Sequence, residues 1–222
     1  AALRSADPDR YRAYRRAAWR QLRSEVRTVG ALELWRYTAD MLYMIENPIV
    51  REDFFPSGSQ QIAFEPARPE DGAAIHAITT KHEGQKAAKL LDTWWERLPE
   101  SFRVARDGEN KVIGYYAMFD PRKAHPAWLE EDSVMRHWWH HLRDNRVPKN
   151  QTVLFIRRWL SLEHGEAPSP VQAASWLDVK RYYMELRPHI RRAYATVCDL
   201  SAYAPTLVKL GFVPMAGAEV NL

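Results

Sequence analysis

Stretches with helical spacing of apolar residues alternate along this chain with short runs of strand spacing, and their order predicts its architecture. From Asp7 to about Thr28 the residues favour helix, and a second helix is expected after the Gly30 break, with Leu34, Thr38, Met41, Leu42 and Ile45 on one face. The segment from Asn47-Pro48 to Phe54-Phe55-Pro56-Ser57-Gly58 is rich in breakers. It predicts a helical extension and linker over residues 1–60 and a globular domain over 61–222.

Beyond that boundary, Ile62 to Arg68 reads as a short strand, and Pro69-Glu70-Asp71 starts a helix with acids at its positive end. Helical sequence runs to about Leu98. Phe102 and Val104 then alternate with polar residues, Asp107-Gly108 turns the chain, and Lys111 to Phe119 is apolar on both faces, as in an interior strand. Residues 121–150 form a tryptophan- and histidine-rich helix before a long strand from Thr152 to Leu162. Ser169 caps a helix that begins at Pro170, carries the stripe Gln172, Trp176, Val179, Tyr183 and Leu186, and ends at Pro188. Tyr194 to Cys198 is expected as a strand, Ser201 to Leu210 as a short helix, and Gly211-Phe212-Val213 as the way into a last strand.

With 222 residues, 46% of them hydrophobic, the chain can bury one substantial core plus an appendage. No apolar run approaches the roughly 18 residues of a spanning helix, and charges stand where a secretory signal would be apolar. A soluble, cytoplasmic protein without a membrane partner is expected. The single cysteine, Cys198, excludes an intramolecular disulfide and a cysteine-based zinc cage, and its plainest role is a small buried residue. The opening Ala-Ala-Leu lacks methionine, which points to a piece of a longer protein.

The first 28 residues hold Arg4, Arg10, Arg12, Arg15, Arg16, Arg20, Arg23 and Arg27 against Asp7, Asp9 and Glu25. Such a stripe suits an acidic partner surface or a neighbouring domain, or simply a solvated helix face, with nucleic acid the weakest reading. His137, His140 and His141 share a helical face, yet no flanking acids support a metal site, and none is expected. Nine tryptophans include the pairs Trp94-Trp95 and Trp138-Trp139. Adjacent helical residues point about 100° apart, so some should line a pocket or meet a partner, and Trp128, Trp138 and Trp139 are candidates to cover an acceptor site.

Three local features carry a resemblance to a known family. They are Phe64-Glu65-Pro66-Ala67-Arg68-Pro69-Glu70-Asp71, the Asp107-Gly108 hairpin leading into Val112-Ile113-Gly114, and Leu207-Val208-Lys209-Leu210-Gly211-Phe212. In this order and spacing, residues 60–222 resemble the GNAT (N-acetyltransferase) superfamily. The resemblance implies an α/β (α+β) fold, a mixed central sheet flanked by helices, here preceded by the helical extension. The chain also resembles the carboxy-terminal region of large bacterial regulatory proteins that carry an ATPase. It stops at Leu222, where the GNAT family adds a further strand, so a shortened chain or a partner that completes the sheet is expected.

The resemblance further implies acetyl-CoA, or another acyl-CoA, as co-substrate. The pantetheine arm would pair with the backbone of Trp159, Leu160, Ser161 and Leu162, and the pyrophosphate would meet the helix start at Ser169 to Ala174. The family's phosphate loop aligns with Ser169, Gln172 and Ala174, of which only Ala174 matches, while Glu163, Glu166 and Pro168 add negative charge and stiffness nearby. Leu207 stands where the family often has a catalytic tyrosine, and Tyr203, one turn earlier, is the substitute acid. Glu163 and His164 lie in the region of the base that would deprotonate an amine. Two functions follow: an N-acyltransferase acting on a small-molecule or peptide amine, or a catalytically degenerate module of the same fold that binds a ligand or another domain. The poor phosphate loop and Leu207 favour the second.

Overall fold

The computed structural model describes residues 2–25, 28–29, 37, 40, 44, 62–209 and 211–220. Of the second helix expected after Gly30 only Tyr37 and Asp40, both helical, and Met44 are described, and the breaker-rich boundary at 47–58 lies outside the described residues. At the amino end, α1 (Ala2–Ala6) and α2 (Pro8–Glu25) form the arginine-rich helices, and α2 buries none of its side chains. Arg10 and Arg15 donate instead to the hydroxyls of Tyr14 and Tyr11, one helical turn away. Among the described residues these local pairs support the helix, and Arg15 also donates to the Met44 carbonyl.

From Phe64 onward the chain builds a mixed sheet with helices on both faces. Its strands are β1 (Phe64–Pro66), β2 (Phe102–Arg106), β3 (Val112–Phe119), β4 (Thr152–Ser161) and β5 (Ile190–Ala195), in spatial order β1-β2-β3-β4-β5. The first four are antiparallel, and β5 runs parallel to β4. The helices are α3 (Gly72–Arg97), α4 (Pro126–Glu131), α5 (Ser133–Asp144), α6 (Pro170–Glu185) and α7 (Leu200–Lys209). Alternation along β3 shows the layering. Tyr115, Ala117 and Phe119 pack with Ile78 and Trp94 of α3 and Trp138 of α5, whereas Tyr116 and Met118 pack with Trp176 and Val179 of α6. The mixed, doubly covered sheet agrees with the sequence pattern, including the nearly complete burial of β3.

Some boundaries differ for identifiable reasons. The helical sequence expected to about Leu98 is divided inside α3, where Gly84 takes φ 84° and ψ 173°. Only glycine adopts that conformation readily. β5 starts at Ile190 rather than Tyr194, because its parallel ladder pairs Thr152 with Ile190 and ends at Ile156 with Ala195. No strand follows α7 among the described residues. Val213 is 85% exposed there and Pro214 has no N–H to give a ladder, although Phe212, Met215 and Val220 still cover the two cores.

The segment between β3 and β4 is anchored by Asp132, which is fully buried. One carboxylate oxygen accepts from Trp94 Nε1 and from Arg157 Nε, each at 2.8 Å. The other caps α5 by accepting from the N–H groups of Val134 and Met135. Both tryptophan pairs put one member in the core, Trp94 and Trp138, and leave Trp95 and Trp139 half-buried against it, as is Trp128. No described helix is long and apolar enough to cross a membrane.

Candidate functional site

The middle of β4 holds an irregularity with consequences for both neighbours. On the β3 side Ala117 pairs with Arg158 and Met118 with Ile156, which leaves Arg157 as an extra residue, a β-bulge. Bulges bend a strand and increase its twist. On the other side, the ladder with β5 ends at Ile156, immediately before the bulge. Beyond that point, where β5 ends at Ala195, β4 makes no further ladder on this side, and side chains rather than backbone pairs fill the gap between its carboxy-terminal half and the chain at Cys198.

Arg158 occupies the floor of this gap, with its side chain only 3% exposed. Its Nη2 donates to Glu166 Oε2 at 3.1 Å and to Cys198 Sγ at 3.0 Å, and pairs closely with Glu83 Oε1. Glu83 is the residue before the Gly84 break, so the interruption of α3 delivers a carboxylate to the gap. Burial disfavours the guanidinium charge, and Glu166 and Glu83 overcome this and hold Arg158 protonated more firmly than usual. Its carbon lies 5.9 Å from the centre of the Trp159 ring. Cys198 is exposed rather than the small buried residue expected, yet partial desolvation by its neighbours raises the thiol to about 11, against an opposing pull from Arg158, so it is a neutral thiol near pH 7 rather than a thiolate nucleophile.

Glu166 also closes the gap along its length. Its carboxylate accepts from the Cys198 N–H at 2.8 Å, and its carbonyl accepts from Gln172 Nε2 at 2.8 Å and from the Tyr203 hydroxyl. Gln172 Nε2 donates to the Tyr203 hydroxyl as well, at 2.8 Å. Upstream, Ser161 and Gly165 exchange both backbone hydrogen bonds, which folds residues 162–164 into a tight loop over the β4 edge. Gly165 has φ 59°, and a side chain there would strike His82, so the loop needs glycine. The crevice lined by Tyr115, Trp159, Leu160, Val171 and Gln172 is too narrow for a water molecule.

The residues singled out from the sequence fall into two groups. Tyr203 and Gln172 come together at the gap, beside Ser169, whose Oγ caps α6 by accepting from the Gln172 N–H at 3.1 Å. Ala174, further into α6, packs against the adjoining core. The side chain of Leu160 is buried in the α3-side core, Ser161 Oγ accepts from the His164 N–H, and the Leu162 carbonyl accepts from Lys81 Nζ and His82 Nε2. Glu163 and His164 lie on the exposed part of the 162–164 loop. The Glu163 carboxylate is 71% exposed and lies 3.6 Å from Lys81, and His164 is exposed. The carboxylates in the gap are Glu83 and Glu166. Gly84 and Gly165 were the available signals, since each glycine turns the chain beside one of them.

The histidines of α5 have separate partners: His140 meets Glu130, and His141 Nδ1 lies 2.7 Å from the Tyr194 hydroxyl. Among the described residues no group of three or more metal-type side chains could hold an ion.

No protein-family model matches this chain, and no curated protein matches it. Among solved structures it is similar to the C-terminal condensation domain of Ebony in complex with beta-alanyl-dopamine. That likeness has 16% sequence identity and a TM-score of 0.48, and covers 68% of this chain and 81% of the other.

Proposed function

We propose that this chain is an acyltransferase-type domain that accepts an acyl-CoA thioester in the gap between β4 and β5 and passes the acyl group to an amine. The observation that carries this reading is the coincidence, at Ile156–Arg158, of the bulge with the end of the β5 ladder. Beyond it the β4 backbone has no β5 partner and suits the amides of an extended pantetheine arm. The element order and the mixed sheet fit the GNAT resemblance of the sequence. The start of α6, where the helix dipole favours anions, flanks the same gap.

In this reading the amine nitrogen attacks the thioester carbon, and the tetrahedral intermediate collapses with loss of the thiol. The amine's proton goes to the Glu83 carboxylate, which lies in the gap where Glu163 does not. The Tyr203 hydroxyl, held between Gln172 and the Glu166 carbonyl, protonates the departing thiolate. Positioning supplies most of the acceleration.

One observation favours a second reading, a ligand-binding or domain-docking module of the same fold that has lost catalysis. Glu166 and Gly165 already fill the gap. A thioester enters only if residues 163–168 swing away.

Isothermal titration of the folded chain with acetyl-CoA, compared with CoA and dephospho-CoA, separates the readings. Micromolar binding followed by turnover in an amine screen supports the enzyme. Micromolar binding without turnover in any acceptor supports the module. No binding at millimolar acetyl-CoA overturns the acyl-CoA site.

A further inference from the structure

The contacts of Arg158 are unevenly distributed over its guanidinium. Glu83, Glu166 and Cys198 all converge on Nη2, while Nε and Nη1 are buried and meet no acceptor among the described residues. A guanidinium offers its donors as a rigid planar fork, and its strongest partners are carboxylates that take two parallel bonds. Here the fork is engaged through one nitrogen. Oε1 of Glu166 is likewise buried without a donor among the described residues. The Arg158–Glu166 pair is therefore monodentate in a place where burial makes unmet donors costly.

Glu166 also differs from Glu83 in how it is held. Glu83 projects from α3, whereas Glu166 hangs from the loop between β4 and α6, beside the Ser161–Gly165 turn, its carbonyl accepting from the Gln172 and Tyr203 side chains and its carboxylate from the Cys198 N–H. An incoming carboxylate that displaced Glu166 would leave the charge of the gap unchanged and would gain the second parallel bond that Glu166 does not make.

We propose that Arg158 is the recognition group for a substrate carboxylate, and that Glu166 occupies its place until substrate displaces it. The proposal rests on the acyl-transfer reading of the gap and narrows its substrates to those with a carboxylate near the reacting centre. That carboxylate belongs either to the acyl group, as in succinyl-CoA, or to the acceptor, as in an amino acid.

The test uses titration calorimetry on the whole chain with two matched pairs, succinyl-CoA against acetyl-CoA and glycine against methylamine. Each pair differs in a carboxylate. The wild type is compared with Glu166→Gln, which removes the internal competitor, and Arg158→Lys, which keeps the charge and loses the fork, with circular dichroism confirming that each is folded. The carboxylate-bearing member of one pair should bind about tenfold more tightly, the preference widening in Glu166→Gln and collapsing in Arg158→Lys. A preference in the thioester pair assigns the carboxylate to the acyl group, and one in the amine pair assigns it to the acceptor. Equal affinities within both pairs in the wild type and Glu166→Gln overturn the proposal, as does a preference that Arg158→Lys leaves intact. If acetyl-CoA binds and no preference appears, the carboxylate site falls and the acyl-transfer reading stands. If no thioester binds while glycine shows the Arg158-dependent preference, the acyl-transfer reading falls and the carboxylate site stands.

Discussion

Arg158 Nη2 and Glu166 Oε2 lie 3.1 Å apart across the gap where β4 and β5 separate, so a loop residue spans an opening that the sheet itself leaves. Around this pair the structure places several devices whose contributions can be measured one at a time.

Asp132 should be the most sensitive single position outside the gap. Replacing it with alanine removes the acceptor of Trp94 Nε1, the counter-ion of buried Arg157 and the cap of α5 together. A loss of about 3–5 kcal/mol is expected, because an uncompensated buried charge remains. Urea unfolding measures it, and Asp132→Asn should recover part of the loss by keeping an acceptor for the cap.

Gly84 and Gly108 both have open space where a Cβ would sit, and they differ in that only Gly84 has a positive φ. Gly84→Ala should cost about 1–3 kcal/mol through backbone strain. Gly108→Ala should stay within about 0.5 kcal/mol, as surface substitutions usually do. Equal effects would mean that the break in α3 is not held in that conformation in solution.

A Cβ at Gly114 would collide with the side chain of Val171 and come within 3.0 Å of the Leu160 carbonyl. Gly114→Ala should therefore push α6 from the sheet and destabilise by about 1–3 kcal/mol. Adding Val171→Ala should restore only part of this, since the Leu160 backbone cannot retreat. A double-mutant cycle reads the coupling.

Lys180 gives the fold a pH signature. Burial lowers its pKa from the ordinary 10.5 to about 8, beside the rings of Tyr183 and Phe212. Between those values the unfolded chain holds more protons than the folded one, so this residue makes stability rise with pH from about 8. Below that, both states are protonated and the full burial cost is present. Cys198, raised from 9.0 to about 11, acts in the opposite direction above pH 9. Lys180→Met should raise the urea midpoint at pH 7 and abolish the rise between pH 8 and 9. An unchanged profile would show that the ammonium reaches water.

Features governed by neighbouring residues were legible in the sequence. Ser169-Pro170 announces a capped helix start, Asp107-Gly108 a turn, and the apolar run of β3 a strand covered on both faces. The candidate site was legible in part, because Tyr203 and Gln172 were identifiable from their elements but their meeting depends on the sheet. Arg158 and Glu83 are far apart in sequence, and only the pairing of β4 with β3 and the packing of α3 bring them into contact. Glu163 and Glu166 are chemically equivalent in a sequence. The Ser161–Gly165 turn decides which of them faces inward. No last strand forms among the described residues: Phe212 and Val213 have strand-like chemistry, but Pro214 offers no N–H and Val213 is exposed.

The bulge in β4 can also be described as a matter of parity. In an uninterrupted strand, odd and even positions belong to opposite layers, yet Arg157 and Arg158 are consecutive and both find partners on the α3 side, Asp132 and Glu83. The extra residue resets the count. Deleting Ile156 would restore regular alternation and cast the Arg157 guanidinium into the apolar layer around Trp176. Single-residue length changes in β4 should thus be tolerated far less well than substitutions at the same positions.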